Sequence, residues 1–280
     1  MWPIRAITVL LAVVLAHIAC ADELVRFESA DYRVGELQQR LARERGETIK
    51  ARPATIIEGY LSKPDGDGPF PAVVSMHGCS GLSHSLRMAE ADFLNALGYV
   101  SLVVDSFVTR RIVEACTSPP PDRHADALGA LKYVAKLPYV DPKHIALVGR
   151  SQGGIVALQV ASTQPVEVYE VPGELAYKAV AALYPWCGAA TDQLALPALI
   201  MVGDADDWAP AKDCERLMAR RAGRGAPVKL IVYPGVYHSF DSRIAGEGLT
   251  LFGHRLKYDA EATKNAGEEL TEFLRQYLAR

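Results

Sequence analysis

Two rhythms of hydrophobic positions run along this chain. Short continuous apolar runs, "PAVVSMHG" (71–78), "YVSLVVD" (99–105), "HIALVG" (144–149), "AVAALYP" (179–185), "ALIMVGD" (198–204) and "KLIVYPG" (229–235), read as strands buried on both faces. A further stretch, "ATIIEGYLSKP" (54–64), alternates like a half-buried strand and runs into the turn-rich "KPDGDGPFP". Between them lie segments with helical spacing at 34–46, 85–98, 123–137, 152–162 and 214–223, and a long amphipathic segment at 260–280. Gly98 stands just past the end of the second of these. Apolar strands alternating with helices predict an α/β fold: a doubly wound, mostly parallel sheet with helices on both faces. There is no internal repeat, low-complexity tract or linker. In such a sheet the ligand site lies at the carboxyl ends of the strands, and that is where the unusual residues of this chain fall.

The N-terminus departs from this pattern. Arg5 precedes an apolar run from Ala6 to Ala16. That run is too short to span a bilayer but suits the core of a signal peptide. Ala19-Cys20-Ala21 fits the small-x-small rule, so residues 1–21 are expected to be removed, leaving 22–280 as a single domain of an exported, periplasmic or secreted protein. A lipidated Cys20 is the alternative. Export changes the meaning of the cysteines. Of five, four would remain, and an even number in an oxidising compartment suggests two disulfides, with three possible connectivities. Cys79 and Cys116 follow strands that should be neighbours, as do Cys187 and Cys214, which favours those two pairs.

Composition narrows the function. Half of the 280 residues are hydrophobic, 22% are charged and the net charge is −3, enough for a substantial core and without the basic face that nucleic acid requires. A small-molecule substrate is expected, with no nucleic-acid partner and no stable membrane association once the leader is gone.

The chemistry centres on "GRSQGG" (149–154), which follows the strand "HIALVG" and opens a helix. A nucleophile on so tight a strand-to-helix turn needs small neighbours, and Gly149 and Gly153 supply them around Ser151. A serine nucleophile also needs a base and an orienting acid, in the chain order Ser, Asp or Glu, His. "ALIMVGDADDWAP" offers Asp204, Asp206 and Asp207 at a later strand end, and "KLIVYPGVYHSFD" offers His238 after the last strand. Asp206 is the expected acid, Asp207 its competitor, and Asp204 the residue that caps the turn. His84, His124, His144 and His254 lie out of this order and are expected in surface or capping roles. No histidine pair has zinc-ligand spacing, so no metal is expected.

Acyl transfer also requires donors for an oxyanion. One should be the N–H of Gln152, directly after the nucleophile. The other should come from "HGCSGL" (77–82), and Cys79 N–H is assigned, with Gly78 as the alternative. The rival reading, Cys79 as a thiol nucleophile beside His77, would leave Ser151, Asp206 and His238 as coincidences. Trp208 is expected to wall the pocket, with further walls from loops 107–122, 164–178 and 241–257.

"HGCSGL", "DSFVTRR", "YVDPKHIALVGRSQGG", "DADDWAP", "YPGVYHSFD" and the closing helix together resemble the dienelactone hydrolase family of α/β-hydrolases, from about residue 55 to the end. The resemblance implies hydrolysis of small esters or lactones at a compact site without a cofactor. The best-known members carry a cysteine where Ser151 stands and a glutamate where His77 stands, so a serine esterase is expected, with His77 near the substrate. In the family an arginine near the "DSF" segment helps bind the substrate carboxylate. Arg110 is the matching residue, with Arg111 and Arg150 as substitutes. Other readings of the same residues are a peptidase, an acyltransferase, a thiol hydrolase or a non-catalytic binding protein on the same fold.

Overall fold

The computed structural model describes residues 22–279 except 33, 49–52, 163–168 and 170. The expected leader, with Cys20, lies outside the described residues. Eight strands form one sheet: β1 (Glu23–Glu28), β2 (Ile56–Ser62), β3 (Phe70–Met76), β4 (Val100–Asp105), β5 (Val140–Arg150), β6 (Ala179–Leu183), β7 (Ala198–Gly203) and β8 (Val228–Tyr233). Their order is β1-β2-β4-β3-β5-β6-β7-β8. β2 runs antiparallel to both of its neighbours, β1 and β4; β4, β3, β5, β6, β7 and β8 are mutually parallel. The mostly parallel sheet expected from the apolar runs is therefore present. Among the described residues no helix is long and apolar enough to cross a membrane.

Helices α1 (Glu36–Glu44), α2 (His84–Ala96), α3 (Arg123–Val134), α4 (Gln152–Ala161), α5 (Ala211–Arg221) and α6 (Ala260–Leu278) fall on the segments with helical spacing. Their starts have a local cause. The side chains of Ser83, Asp122 and Asp259 accept the N–H groups of Leu86, Ala125 and Ala262, capping α2, α3 and α6. Helix α5 begins three residues ahead of the expected start, at the residue after Pro210.

The pleat divides the core into two layers. Val74, Leu147, Val180, Ala182 and Ile200 face α3, α4 and α5, while Val73, Ala146, Val148, Ala181 and Leu199 face α2 and α6. Every residue of β6 and β7 is buried, which is why these segments read as unbroken apolar runs.

Three strands were not evident from the periodicity. Strand β1 carries only two buried residues, Val25 and Phe27, in six. A two-stranded hairpin, β9 (Leu249–Leu251) and β10 (His254–Leu256), follows the last sheet strand. A bridge between His238 and Leu256 brings β10 against the loop that leaves β8.

The connection order reverses at β3, since β4 lies on one side of it and β5 on the other. Ligands bind at such a switch point. Here it brings the end of β3, which leads into His77–Gly81, beside the end of β5, which leads into Ser151.

Candidate active site

Ser151 sits between β5 and α4 with φ 51° and ψ −116°, a conformation a non-glycine residue rarely adopts. The turn is so tight that a Cβ on Gly149 would fall 2.0 Å from Gly153 O, and one on Gly153 would fall 2.2 Å from Met76 O. The glycines are thus required by the backbone, and the strained serine is held out at the sheet edge. Its N–H is anchored to Leu183 O at 2.9 Å.

Three side chains from distant parts of the chain meet here. Ser151 Oγ lies 3.0 Å from His238 Nε2, and His238 Nδ1–H donates to Asp206 Oδ2 at 2.7 Å. Asp206 and His238 are almost fully buried. The other oxygen of Asp206 accepts the N–H groups of Trp208 and Ala209 at 2.9 and 2.7 Å, which fixes the carboxylate's orientation. The neighbouring acids are used differently. Asp204 accepts Gly235 N–H at 2.6 Å and so ties two loops together. Asp207 faces the hairpin, 3.5 Å from His254 Nδ1 and 3.3 Å from Arg255 N.

The second expected oxyanion loop runs alongside the serine: a Cβ on Gly78 would be 3.5 Å from Ser151 Cβ. Cys79 lines the same cavity, and no acceptor among the described residues engages its N–H. Gln152 is the first residue of α4, where backbone N–H groups lack intrahelical partners. Cys79 is bonded to Cys116 and Cys187 to Cys214, so Cys79 carries no free thiol to act as a nucleophile.

Above Ser151 opens a cavity of about 440 Å³. One wall comes from the loop 77–82 and α2, with Leu82, Leu86 and Ala89; the other comes from residues 239–256, with Ile244, Leu249 and Leu251. Trp208 also lines it, with its ring 5.2 Å from that of His238. Of the loops expected to supply walls, 241–257 does so; among the described residues of 107–122 and 164–178 none lines the cavity.

Two expected substrate-contacting residues lie elsewhere. His77 is 1% exposed and outside the cavity lining: Nδ1–H donates to Gly78 O at 2.6 Å, and Nε2 accepts Ser106 N–H at 3.3 Å. Burial, and then the charge of Arg123, push its pKa well below the usual histidine range, so it is neutral. Arg110 is also outside the lining. Its guanidinium grips the buried Asp126 through two bonds of 2.8 Å and donates to Ser106 O as well. A carboxylate already satisfies it, and it has no reason to turn to the cavity.

The substitutes fare little better. Arg111 is exposed and away from the lining. Arg150 does line the cavity, but its guanidinium is shared between Glu90 and Asp241, at 2.8 and 2.7 Å. Burial opposes its charge, yet the two carboxylates prevail and raise its pKa well above the ordinary value. The cation with no carboxylate partner among the lining residues is Arg243, exposed at the rim and packed 5.2 Å over the Tyr258 ring. It carries no signal in the sequence, because nothing in a loop pattern says which side chains turn inward. His124 is another departure: it is buried, stacked on Tyr169, and burial lowers its pKa to about 4.

Comparison with known proteins identifies the family. Residues 57–278 match the family model described as the dienelactone hydrolase family. An uncharacterized Mycobacterium tuberculosis protein, Rv2307c, is 27% identical over 272 residues, covering 89% of this chain and 94% of its own. Among solved structures, a dienelactone hydrolase-like promiscuous phosphotriesterase from metagenomic libraries superposes with a TM-score of 0.63 at 18% identity, covering 91% of this chain and 99% of its own. A propionate-bound esterase from Thermogutta terrifontis has a TM-score of 0.61 at 19% identity, covering 81% and 92%. At these identities the two structures speak to the fold, a mostly parallel α/β-hydrolase sheet.

Proposed function

The chain belongs to the dienelactone hydrolase family, and from that premise we propose that it is a serine hydrolase that cleaves small carboxylic esters or lactones through an acyl-enzyme. One observation carries the reading: His238 bonds Ser151 Oγ and Asp206 at once, at the base of a largely apolar cavity. His238 Nε2 takes the serine proton as Oγ attacks the carbonyl carbon. Asp206 holds the imidazole in the tautomer that can accept that proton and stabilises the cation that results. The N–H groups of Cys79 and Gln152 receive the oxyanion, a contribution of roughly 3 kcal/mol per donor to the barrier. The imidazolium then protonates the leaving alcohol. Water, deprotonated by the same histidine, attacks the acyl-serine and releases the acid. Every proton is handled by His238, so these steps call for no cofactor.

The cavity's size and apolar walls favour a short acyl or alcohol group. Export also belongs to this reading. Two disulfides suit an oxidising compartment, and cleavage after Ala21 would give a mature chain starting at Asp22 just ahead of β1. A protein recovered from the periplasm or medium with Met1 still in place would contradict that.

The deciding experiment is a panel of esters varied in acyl length and charge, run on the wild type and Ser151→Ala. Loss of the serine should cut kcat by roughly 10⁶-fold. Hydrolysis undiminished by the substitution would refute the mechanism. A folded wild-type protein that fluorophosphonate fails to label would point to a binding protein instead.

A further inference from the structure

Arg123 is an expensive residue for this fold to keep. It is 2% exposed, and it is the first residue of α3, where the helix dipole disfavours a cation. Among the described residues no carboxylate grips it directly: Asp126, the nearest acid on its own helix, gives both oxygens to Arg110. Burial lowers its pKa to about 10, which still leaves it charged at neutral pH. Its hydrogen bonds go to two neutral acceptors. Nη2 donates to His77 O at 2.6 Å and Nη1 to Gln152 Oε1 at 2.8 Å, while the guanidinium packs 5.2 Å over the Phe107 ring.

Both acceptors flank the oxyanion donors. His77 O begins the loop that carries Gly78 and Cys79. Gln152 provides the other donor from its own backbone, and its side-chain Nε2 continues to Ala115 O at 3.0 Å. Ala115 N in turn donates to Cys79 O at 2.8 Å, closing a ring through both donor residues. The neutral His77 imidazole adds a bond to Gly78 O, the carbonyl of the very peptide whose N–H belongs to Cys79. A carbonyl that accepts a strong bond polarises its peptide and makes the N–H a better donor.

We infer that Arg123 is a positioning residue of the oxyanion hole: it bolts the loop after β3 to the helix after β5 and so sets the separation of the Cys79 and Gln152 N–H groups. This rests on the hydrolase reading above. Arg123 touches no substrate and does not line the cavity. Its effect should therefore appear in the transition state and not in ground-state binding.

The test compares wild type, Arg123→Met and Arg123→Lys on one ester and two inhibitors, a trifluoromethyl ketone and the unfluorinated ketone of the same shape. The first forms a tetrahedral oxyanion on the serine; the second binds as a ground-state mimic. Arg123→Met should lower kcat by roughly 10- to 100-fold, as small misplacements of catalytic groups do. KM should change less than about threefold. The trifluoromethyl ketone should weaken in proportion to kcat/KM, the plain ketone should be unaffected, and Arg123→Lys should recover part of the loss. If Arg123→Met does not fold, Gln152→Leu breaks the same bond from the other side, keeps the Gln152 N–H, and should produce the same selective loss. Full kcat in a folded variant, or equal weakening of both ketones, overturns the positioning role alone. A wild type that neither hydrolyses the ester nor responds to the trifluoromethyl ketone overturns the hydrolase reading and this role with it.

Discussion

Arg150 Nε donates to Asp241 Oδ2 at 2.7 Å across 91 positions of chain. The first residue directly precedes Ser151 and the second follows His238 by three, so one ion pair spans the gap between the segments that carry them. Glu90 binds the far side of the guanidinium and is itself held by Ser75 Oγ at 2.6 Å; Tyr184 OH holds Asp241 at 2.7 Å. The Arg150→Met variant would leave two largely buried carboxylates without their cation. It should lose roughly 3–5 kcal/mol of unfolding free energy in urea. Its kcat should fall as well, because Arg150 is the residue next to Ser151 that holds Asp241. A change below about 1 kcal/mol, the value of a surface pair, would mean the pair is solvated.

The two disulfides should separate stability from catalysis. They close loops with separations of 37 and 27, and chain entropy gives each roughly 3–4 kcal/mol. Cys187–Cys214 joins the loop after β6 to α5, whereas Cys79–Cys116 holds the residue whose N–H is assigned to the oxyanion. Replacing Cys187 and Cys214 by serine should lower Tm with kcat kept in the folded fraction. Replacing Cys79 and Cys116 by serine should lower both. Full kcat in the second double variant, below its Tm, would argue that Gly78 and not Cys79 provides the second donor.

The extent to which the sequence foretold this arrangement follows from how each feature is encoded. Strands buried on both faces announce themselves as unbroken apolar runs, so β3 to β7 were evident. Strand β1 lies at the sheet edge with two buried side chains in six, and β9 and β10 have three residues each, too few for any period. Ser151, Asp206 and His238 come together because each follows a strand whose carboxyl end must reach the same rim. The arginines carry no such signal. The family resemblance points to Arg110, yet its partner Asp126 stands sixteen residues on, in another element, and only packing reveals the pair. His77 follows a strand as the triad residues do, but its ring turns beneath the loop and not into the cavity. Arg123 carried a faint warning: a cation at the positive end of a helix needs a reason.

Charge selectivity should reside in Arg243. It is the lining cation without a carboxylate partner among the described residues, whereas Arg110 is spent on Asp126. Arg243→Ala should raise KM for an ester bearing a distal carboxylate and leave a neutral ester of equal length unchanged. Arg110→Ala should leave both KM values alone and instead destabilise the fold by roughly 3–5 kcal/mol, since Asp126 would be left buried and unpaired. An equal rise in KM for both esters on losing Arg243 would make its role that of a wall.

Acid should weaken the fold before it titrates most carboxylates. His124 is buried against Tyr169 with a folded pKa of about 4, against about 6.5 in an unfolded chain. Because the folded value is the lower, the unfolded chain binds the extra proton as pH falls from 6.5 towards 4, and stability declines across that window. Below about 4 both states are protonated and the loss is complete, at about 3 kcal/mol for this residue. His77, also buried and neutral, adds a loss of the same sign. His124→Phe keeps the ring stack and removes the proton. Urea unfolding of the wild type and this variant at pH 7, 5.5 and 4.5 should therefore show the variant losing less stability on acidification. Parallel curves for the two proteins would mean that His124 is not buried as a neutral imidazole.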